Sequence, residues 1–296
     1  MAISASRPHR VYLNGRLVPY ARALVSVEDR GFLFGDGIYE VIRCYRGVPF
    51  RLNDHLTRLA HDAARLRIPF RQSRRVLTDA VRATLAANRL DQLEASVYIQ
   101  LTRGSSPRTH AFPNPAHPTL VIITRPFRGL PAELRTRGAR ARSAPDVRSG
   151  YVALKSLNLL PNILAKQEAH DQGVYETIFV RDDIVTEGAS TNVFAMIKNR
   201  LRTHPANDHI LAGVTRQVVL ELARRLRIPM AERAFTLREL LRADEVFLTA
   251  SLSEIMPITH IDRKRIGPGR PGPITLRLWE AFQRVTREGQ SIIKLR

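Results

Sequence analysis

Just past its midpoint the chain has the sequence Ala153-Leu154-Lys155-Ser156-Leu157-Asn158-Leu159-Leu160. Apolar neighbours take water away from a lysine amine, which disfavours the ammonium form and leaves a nucleophile able to condense with an aldehyde. The same pattern has an ordinary explanation, because lysine stems are often buried while the amine stays in water. Lys155 is therefore a candidate catalytic amine, and the rest of the sequence has to decide between the two explanations.

Five further sequence blocks accompany Lys155 at defined spacings. Two follow it, Glu187-Gly188-Ala189-Ser190-Thr191-Asn192 and Leu211-Ala212-Gly213-Val214-Thr215-Arg216. Three precede it, namely residues 29–40 with Gly35-Asp36-Gly37 and Tyr39-Glu40, then His55-Leu56-Thr57-Arg58-Leu59, and then Thr102-Arg103-Gly104 with Arg108-Thr109-His110. From about Val11 to Ile258 the chain thus resembles the fold-type IV pyridoxal-phosphate enzymes. Within that family, the Arg-x-His pair and the Lys155 block are most similar to the bacterial D-amino acid transaminases.

The resemblance implies a fold, a cofactor and an activity. The implied fold is α+β, with a smaller N-terminal α+β domain and a larger C-terminal domain that contains a mixed, barrel-like sheet. The implied enzyme is a homodimer that uses pyridoxal 5′-phosphate to exchange amino groups between D-amino acids such as D-alanine and 2-oxo acids such as 2-oxoglutarate. In the homodimers of this family the loop with the Arg-x-His pair is offered across the interface. No metal ion is implied.

The resemblance also gives expected roles to residues that would contact the cofactor. Lys155 is expected to bind the cofactor covalently and then to move a proton between the substrate α-carbon and C4′. Glu187, expected in a loop after a strand, would keep the ring nitrogen protonated, which makes the ring an electron acceptor. A phosphate requires helix N-terminal amides and a fixed cation, so the expected cofactor-binding residues are Arg58, Glu187, Leu211, Gly213, Val214, Thr215 and Ser251. Ala250 departs from the D-specific pattern, in which a hydroxyl residue is usual at that position.

A second group of residues is expected to bind the substrate. Tyr39, Arg108 and His110 resemble the carboxylate-binding set of the D-amino acid transaminases, and arginine fixes a carboxylate through strong charge-assisted hydrogen bonds. The docking point of the carboxylate decides which hydrogen faces Lys155, and therefore which enantiomer reacts. Polar residues placed behind the cofactor in relatives match Glu40, His55 and Glu176. Arg43 stands where a lysine is common.

Two other activities on the same scaffold stay open as alternatives. An L-branched-chain aminotransferase should lack the Arg-x-His pair that follows Thr-Arg-Gly here. An aminodeoxychorismate lyase would eliminate pyruvate instead of transferring nitrogen. The D-amino acid transaminase is the interpretation that accounts for the Arg-x-His pair.

The composition argues against a nucleic-acid partner, although the formal net charge is +20. The arginines are spread along the whole chain, and only five lysines occur. The densest basic run, residues 135–142, lacks the interleaved aromatic residues of a base-stacking surface, which favours a solvated linker. No apolar run approaches the roughly 18–20 residues of a membrane span. Cys44 is the single cysteine of the chain and no secretion signal is recognisable, which is consistent with the cytoplasm.

The 296 residues are enough for two modest domains. Residues 1–129 are predicted as the N-terminal domain, residues 130–147 as a linker without apolar periodicity, and residues 148–296 as the C-terminal domain. Asn14-Gly15 predicts a tight hairpin turn, Asn53 a helix cap, and Thr236 with Glu239 a capping box. Apolar periodicity predicts helices at 53–66, 74–87, 159–171, 215–226 and 274–288.

Overall fold

The computed structural model describes residues 7–288, which divide into two compact units. Residues 7–129 together with 154–158 form the first unit, and residues 130–153 together with 159–288 form the second. The short segment 154–158, which contains Lys155, therefore belongs to the first unit. The sequence predicts a C-terminal domain that begins at residue 148, so the placement of this segment differs from that prediction.

The first unit contains six strands: β1 (Arg10–Leu13), β2 (Arg16–Pro19), β3 (Gly37–Tyr45), β4 (Val48–Pro49), β5 (Ala95–Thr102) and β6 (Thr119–Pro126). They form one antiparallel sheet in the order β2-β1-β6-β5-β3-β4. The predicted hairpin is confirmed, because β1 pairs with β2 and the turn residues Asn14 and Gly15 have φ values of 47° and 93°. A two-residue primed turn requires positive φ at both positions.

The helices of the first unit are α1 (Arg30–Phe34), α2 (Leu52–Arg65) and α3 (Arg74–Ala87). Apolar residues of α2 and α3 join residues of β3 and β5 in one buried cluster, which includes Ile38, Ile42, Leu56, Leu59, Leu77, Val81, Leu85, Val97 and Ile99. The predicted cap of α2 is wrong. Arg51 adopts a left-handed conformation (φ 54°) directly before Leu52, so the helix begins one residue before Asn53.

The second unit contains nine strands: β7 (Ala139–Pro145), β8 (Glu176–Arg181), β9 (Ile184–Gly188), β10 (Asn192–Ile197), β11 (Arg200–Thr203), β12 (Met230–Glu232), β13 (Glu245–Ala250), β14 (Glu254–Ile261) and β15 (Lys264–Arg265). Their order is β12-β11-β10-β13-β14-β7-β8-β9, and β15 pairs with β14. The sheet is mixed as predicted, since β7 is parallel to both β8 and β14, β12 is parallel to β11, and the other pairs are antiparallel.

The helices of the second unit are α4 (Ala132–Arg137), α5 (Leu160–Asp171), α6 (Val214–Arg225), α7 (Leu237–Leu240) and α8 (Pro273–Glu288). The capping box of α7 is confirmed, because the Thr236 side chain accepts from the Glu239 amide while the Glu239 carboxylate accepts from the Thr236 amide. Gly173 follows α5 with a φ of 64°, a left-handed conformation that suits glycine after a helix. Within residues 7–288 no helix is long and apolar enough to cross a membrane.

The predicted linker at residues 130–147 is replaced by helix α4 and strand β7. Strand β7 lies between β14 and β8 inside the sheet, and its Ala139 and Ala141 are buried in the core. The arginines alternate with these alanines, so the segment has the period of two that a strand requires. The buried face of this strand is made of alanine, which is only weakly apolar, so the segment appears polar in composition. Arg142 pairs with Glu168 and Arg135 pairs with Glu254, so the first and last of the four arginines in this basic run have structural partners.

Candidate active site

In the first unit, Lys155 is held by its backbone next to the start of β3. Its carbonyl accepts a hydrogen bond from the Tyr39 amide at 3.0 Å, and its amide donates to Asp62 Oδ2 on α2 at 3.0 Å. The side chain is partly buried, and Nζ lies 4.3 Å from the centroid of the Tyr39 ring. The backbone of the lysine is therefore fixed on both sides, while its amine ends beside an aromatic face.

Arg58 lies beside two buried partners, Glu40 and His55. Its Nε and Nη2 donate to the two oxygens of Glu40 at 2.7 and 2.8 Å, and His55 Nδ1 is 2.7 Å from Glu40 Oε2. Burial alone raises the pKa of Glu40, but the Arg58 guanidinium and His55 outweigh burial and lower that pKa to about 2. Burial, together with the positive charges of Arg58 and Lys155, lowers the pKa of His55 more than Glu40 raises it. The imidazole is thus neutral at pH 7, and its Nδ1 carries the proton because an ionised carboxylate can only accept.

The three predicted substrate residues of the first unit fall into two groups. Tyr39 contacts Lys155 and packs on Tyr98 with ring centroids 5.8 Å apart. Arg108 and His110 lie in an exposed loop and both pack on Phe34, with the Arg108 guanidinium carbon 5.2 Å and the His110 ring 5.6 Å from its centroid. Across residues 7–288 the structure gives no hydrogen bond or ring contact between Tyr39 and either loop residue, so a single chain does not join the two groups.

In the second unit, Glu187 is a buried carboxylate with several donors around it. Arg148 Nη1 donates to Oε1, while Asn192 Nδ2 and the Leu211 amide both donate to Oε2 at 3.0 Å. Glu187 lies within β9, one residue before the end of the strand, and so the expectation of a loop position is wrong. The donors fix the orientation of the carboxylate and favour its ionised form.

Helix α6 of the second unit begins at the predicted phosphate-binding residues, and no side chain caps its first backbone amides. Gly213 is its N-cap, and Val214 and Thr215 form its first turn. A Cβ at Gly213 would lie 2.1 Å from the Asn192 amide oxygen, so the close approach requires glycine. Uncapped amides at a helix N-terminus attract anions. These features fit a phosphate group.

Asn192 connects the remaining predicted residues of the second unit. Its Nδ2 donates to the Leu211 carbonyl at 2.8 Å as well as to Glu187. Asn192 is the first residue of β10, and it pairs with Thr249 of the neighbouring strand β13. Ser251 lies in the turn that follows β13. Asn192 therefore binds the Glu187 carboxylate and the loop before α6, and it pairs with the strand that leads into the turn with Ser251.

Sequence reasoning did not single out Arg148, Asp146 or Asp62. Arg148 forms a bridge between two carboxylates, since it donates to Asp146 at 2.9 Å through Nε and Nη2 and to Glu187 through Nη1. Burial raises the pKa of Asp146, but the hydrogen bonds and charge of Arg148 together with the Thr186 hydrogen bond outweigh burial and lower that pKa. The only local signal for this pair was an aspartate and an arginine two positions apart. Asp62 gave no local signal, because its partner Lys155 is 93 positions away.

Comparison with known proteins identifies the class. A family model described as amino-transferase class IV matches residues 37–261, and the chain belongs to this family, which confirms the resemblance inferred from the sequence. Its relatives include the D-alanine aminotransferase of Bacillus licheniformis, which is 39% identical over 274 residues, covering 93% of this chain and 96% of the relative. Further D-alanine aminotransferases from Staphylococcus and Listeria species are 38–41% identical.

Solved structures of the same fold support the predicted architecture. The branched-chain amino acid aminotransferase of Escherichia coli superposes with a TM-score of 0.88 at 29% identity and covers 95% of each chain. A second branched-chain amino acid aminotransferase, solved with pyridoxamine 5′-phosphate, has a TM-score of 0.86 at 26% identity and covers 95% of this chain and 94% of its own. The 4-amino-4-deoxychorismate lyase of Pseudomonas aeruginosa has a TM-score of 0.80 at 28% identity and covers 93% and 98%.

Proposed function

We propose that this aminotransferase exchanges amino groups between D-amino acids and 2-oxo acids, with pyridoxal 5′-phosphate as its cofactor. The observation that carries this proposal is the set of D-alanine aminotransferases, which are 38–41% identical to the chain over nearly its whole length. The branched-chain enzymes and the lyase with similar structures are only 26–30% identical. Arg108 and His110, the pair expected in D-specific enzymes, add support from the chain itself.

Lys155 is proposed as the catalytic residue. When bound, pyridoxal phosphate supplies an electron-withdrawing ring that stabilises negative charge on the substrate α-carbon. The amine of Lys155 would hold the cofactor covalently and, once substrate has displaced it, would serve as the base that takes the proton from the substrate α-carbon. A backbone fixed by Tyr39 and Asp62 limits the arc over which Nζ can move, and a proton transfer needs such positioning.

Glu187 is proposed to keep the ring nitrogen of the cofactor protonated. An ionised carboxylate can accept the N–H of the ring, and the donors from Arg148, Asn192 and Leu211 favour the ionised state. Arg58 is proposed as the cation of the phosphate site, where Glu40 fixes the orientation of its guanidinium. In the second unit, the amides of Gly213, Val214 and Thr215 and the Ser251 hydroxyl are proposed as further donors to the phosphate, and Leu211 as an apolar contact of the ring.

Tyr39, Arg108 and His110 are proposed to bind the substrate carboxylate and to select the D-enantiomer. Loss of one buried charge-assisted contact costs about 2–5 kcal/mol, or roughly 30- to 5,000-fold in kcat/KM. Arg108→Ala should therefore lose this much with D-alanine and with 2-oxo acids, and little with (R)-1-phenylethylamine, which has no carboxylate. Stopped-flow half-reactions measure both substrates. Equal losses on both, or a wild type that prefers L-alanine, would exclude this role.

The activity itself is tested by offering three substrates to the purified enzyme. D-alanine with 2-oxoglutarate should give pyruvate at the highest rate. L-leucine with 2-oxoglutarate would give 4-methyl-2-oxopentanoate if the enzyme were of the branched-chain kind. Release of p-aminobenzoate from aminodeoxychorismate would identify a lyase, because p-aminobenzoate has no other source in that assay.

The lysine assignment has an independent test. Borohydride reduction of the purified protein should attach the cofactor permanently to Lys155, and peptide mapping should find the label on the peptide that contains it. Lys155→Ala should abolish turnover and labelling, whereas Lys264→Ala should keep both, because Lys264 is exposed on β15. A label on any lysine other than Lys155 would contradict the assignment.

The proposed assembly is a homodimer in the cytoplasm. In the first unit Leu24, Val27 and Phe32 are exposed although they are apolar, and in the second unit Leu160, Ile163 and Leu164 of α5 are exposed as well. Exposed apolar groups of this kind are typical of association surfaces. Light scattering coupled to size-exclusion chromatography should give twice the chain mass of 33.5 kDa. A single cysteine is compatible with a reducing compartment.

A further inference from the structure

The backbone of the loop that contains Arg108 and His110 is held by one buried arginine, Arg30, while a second, Arg103, stacks on Phe112 of the same loop with its guanidinium carbon 3.6 Å from the ring centroid. Arg30 is 3% exposed, and its Nη1 donates to the carbonyls of Thr109 at 2.6 Å and Ala111 at 3.3 Å, while its Nη2 donates to the carbonyl of His110 at 3.3 Å. Three consecutive peptide groups thus share one guanidinium. Among the described residues, the segment 107–116 makes no backbone-to-backbone hydrogen bond, so Arg30 supplies the constraint that secondary structure supplies elsewhere.

The side chains of the same loop pack on one aromatic ring. Phe34 follows Arg30 by four positions, so both lie on the same face of α1. The Phe34 ring is 5.2 Å from the Arg108 guanidinium carbon, 5.6 Å from the His110 ring and 4.9 Å from the Arg30 guanidinium carbon. Arginine over an aromatic face is attracted by the ring quadrupole. Arg30 therefore fixes the loop backbone, and Phe34 limits the directions of its two functional side chains.

Helix α1 is itself rigidly connected to the sheet of the first unit. Asp36 accepts from Arg30 Nε at 2.7 Å and from Arg103 Nε at 2.8 Å. Asp29, the N-cap of α1, accepts from the Gly31 amide and from the hydroxyls of Thr102 and Thr119 at 2.7–2.9 Å. These contacts tie both ends of the helix to the ends of β5 and β6. The loop with Arg108 and His110 is consequently held by a helix that is itself fixed to the sheet.

We propose that Arg30 and Phe34 are positioning residues for the substrate carboxylate. They do not touch the substrate; they set the position of Arg108 and His110, and so they determine how well the enzyme uses substrates that carry an α-carboxylate. The proposal rests on the carboxylate-binding role of Arg108 and His110 given above. A misplacement of about 1 Å can cost on the order of 100-fold in rate, which is the scale expected when the loop loses the Arg30 contacts.

Three variants and one matched control test the proposal in the full-length holoenzyme. Arg30→Gln should lower kcat/KM for D-alanine by roughly 100-fold, and Phe34→Leu by roughly 2- to 10-fold, through KM more than through kcat. Arg30→Lys keeps the charge opposite Asp36 but cannot reach three carbonyls, and should be impaired as well. The half-reaction of (R)-1-phenylethylamine should stay within about twofold. The control is Arg75→Gln on α3, whose side chain is 92% exposed and which should match the wild type.

Limited trypsin digestion followed by mass spectrometry supplies a readout that does not depend on activity. Cleavage after Arg108 should be faster in Arg30→Gln and Arg30→Lys than in the wild type or Arg75→Gln, because a loop released from Arg30 can enter the protease, while cleavage after Arg43 in β3 should not change. Unchanged cleavage after Arg108 would overturn the proposal. If Arg30→Gln does not fold, Arg30→Lys and Phe34→Leu decide the question.

A double-variant comparison separates this proposal from the proposed function. When Arg108→Ala is already present, adding Phe34→Leu or Arg30→Lys should cost less with D-alanine than it does in the wild-type background, because only the His110 contact is left to position. Suppose that Arg108→Ala loses activity only with the carboxylate substrate, while the Arg30 and Phe34 variants lose none or lose the same on both substrates. That result would refute the positioning role alone. A non-selective loss in Arg108→Ala would refute the carboxylate-binding role, and the positioning proposal with it.

Discussion

Glu40→Gln tests the electrostatics of the buried cluster around Arg58. Glu40 is fully buried and accepts hydrogen bonds from Arg58 and His55. Glutamine has nearly the same shape but carries no charge, so the substitution removes the counter-ion of Arg58 without creating a cavity. Removal of one partner of a buried ion pair costs about 3–5 kcal/mol, and we expect a loss of this size in the free energy of unfolding at neutral pH.

The pH dependence of this loss follows from the pKa of Glu40. That pKa falls from 4.5 to about 2 on folding, and each pH unit between the two values is worth about 1.4 kcal/mol. Ionised Glu40 thus contributes about 3 kcal/mol near pH 7. Because the folded pKa is the lower one, the unfolded chain binds more protons in the range between the two values, so the contribution is lost as the pH falls through that range. By the same relation, about 1.4 kcal/mol of it is gone near pH 3.5.

The assay is urea unfolding with the cofactor removed, followed by circular dichroism near pH 7 and near pH 3.5. The difference in unfolding free energy between wild type and Glu40→Gln should shrink at the lower pH by about 1.4 kcal/mol. The pKa of His55 is also lowered, so its contribution is lost below pH 6.5 in the same direction; the comparison is therefore repeated in a His55→Asn background. A matched control is Glu168→Gln, whose side chain is 57% exposed opposite Arg142 and which should cost less than about 1 kcal/mol. A difference that stays constant or grows on acidification would show that burial, not Arg58 and His55, governs the charge of Glu40.

Three further substitutions or treatments probe the site and the core. Glu187→Gln should retain the cofactor but lose most turnover, whereas Arg58→Ala should weaken cofactor retention; absorbance after dialysis and steady-state rates distinguish them, and the same defect in both would contradict the separate roles. Burial raises the pKa of the Cys44 thiol to about 12, with Glu94 adding to the effect, so iodoacetamide near pH 8 should alkylate it only in denaturant, and rapid labelling of the native protein by mass spectrometry would contradict this. Leu77→Ala should lower the free energy of unfolding by about 2–5 kcal/mol, while Val76→Ala, on the exposed face of the same helix, should stay within about 0.5 kcal/mol; similar losses in both would mean that the buried face is wrongly assigned.

Local patterns in the sequence were sufficient to predict the elements whose formation depends on residues only a few positions apart. The period of α2 and α3, the Asn14-Gly15 turn and the Thr236 capping box all depend on neighbours in sequence. Strand β14 was not predicted, and it shows why such patterns fail elsewhere. Pro257 argues against a central strand, yet it lies immediately before Ile258, the first residue that pairs with β7. A missing N–H is tolerated there because the pairing with β7 has not begun.

The site residues that sequence reasoning missed have partners far away in the chain. Asp62 acts on Lys155 across 93 positions and Arg148 acts on Glu187 across 39. Neither residue type is unusual in its local context, since an aspartate on a helix and an arginine in a polar stretch are normally solvated. Their significance appears only when the fold brings a buried backbone amide or a second carboxylate beside them. The blocks could therefore identify candidates, but not the groups that orient those candidates.

The co-occurrence of the Gly35-Asp36-Gly37 block and the Lys155 block has a physical cause in the first unit. The Tyr39 amide donates to the Lys155 carbonyl, and the Leu157 amide donates to the Gly37 carbonyl, so the lysine segment is paired with the start of β3 in a single register. A slip of one residue would turn the Lys155 side chain to the opposite face. A Cβ on Gly37 would lie 2.7 Å from the Leu101 carbonyl oxygen and 2.8 Å from Leu157 Cδ1, so only glycine lets the segment approach this closely. The Gly37 block and the Lys155 block are more than a hundred residues apart in sequence but pair directly with each other in the fold. This pairing determines where the lysine amine can reach.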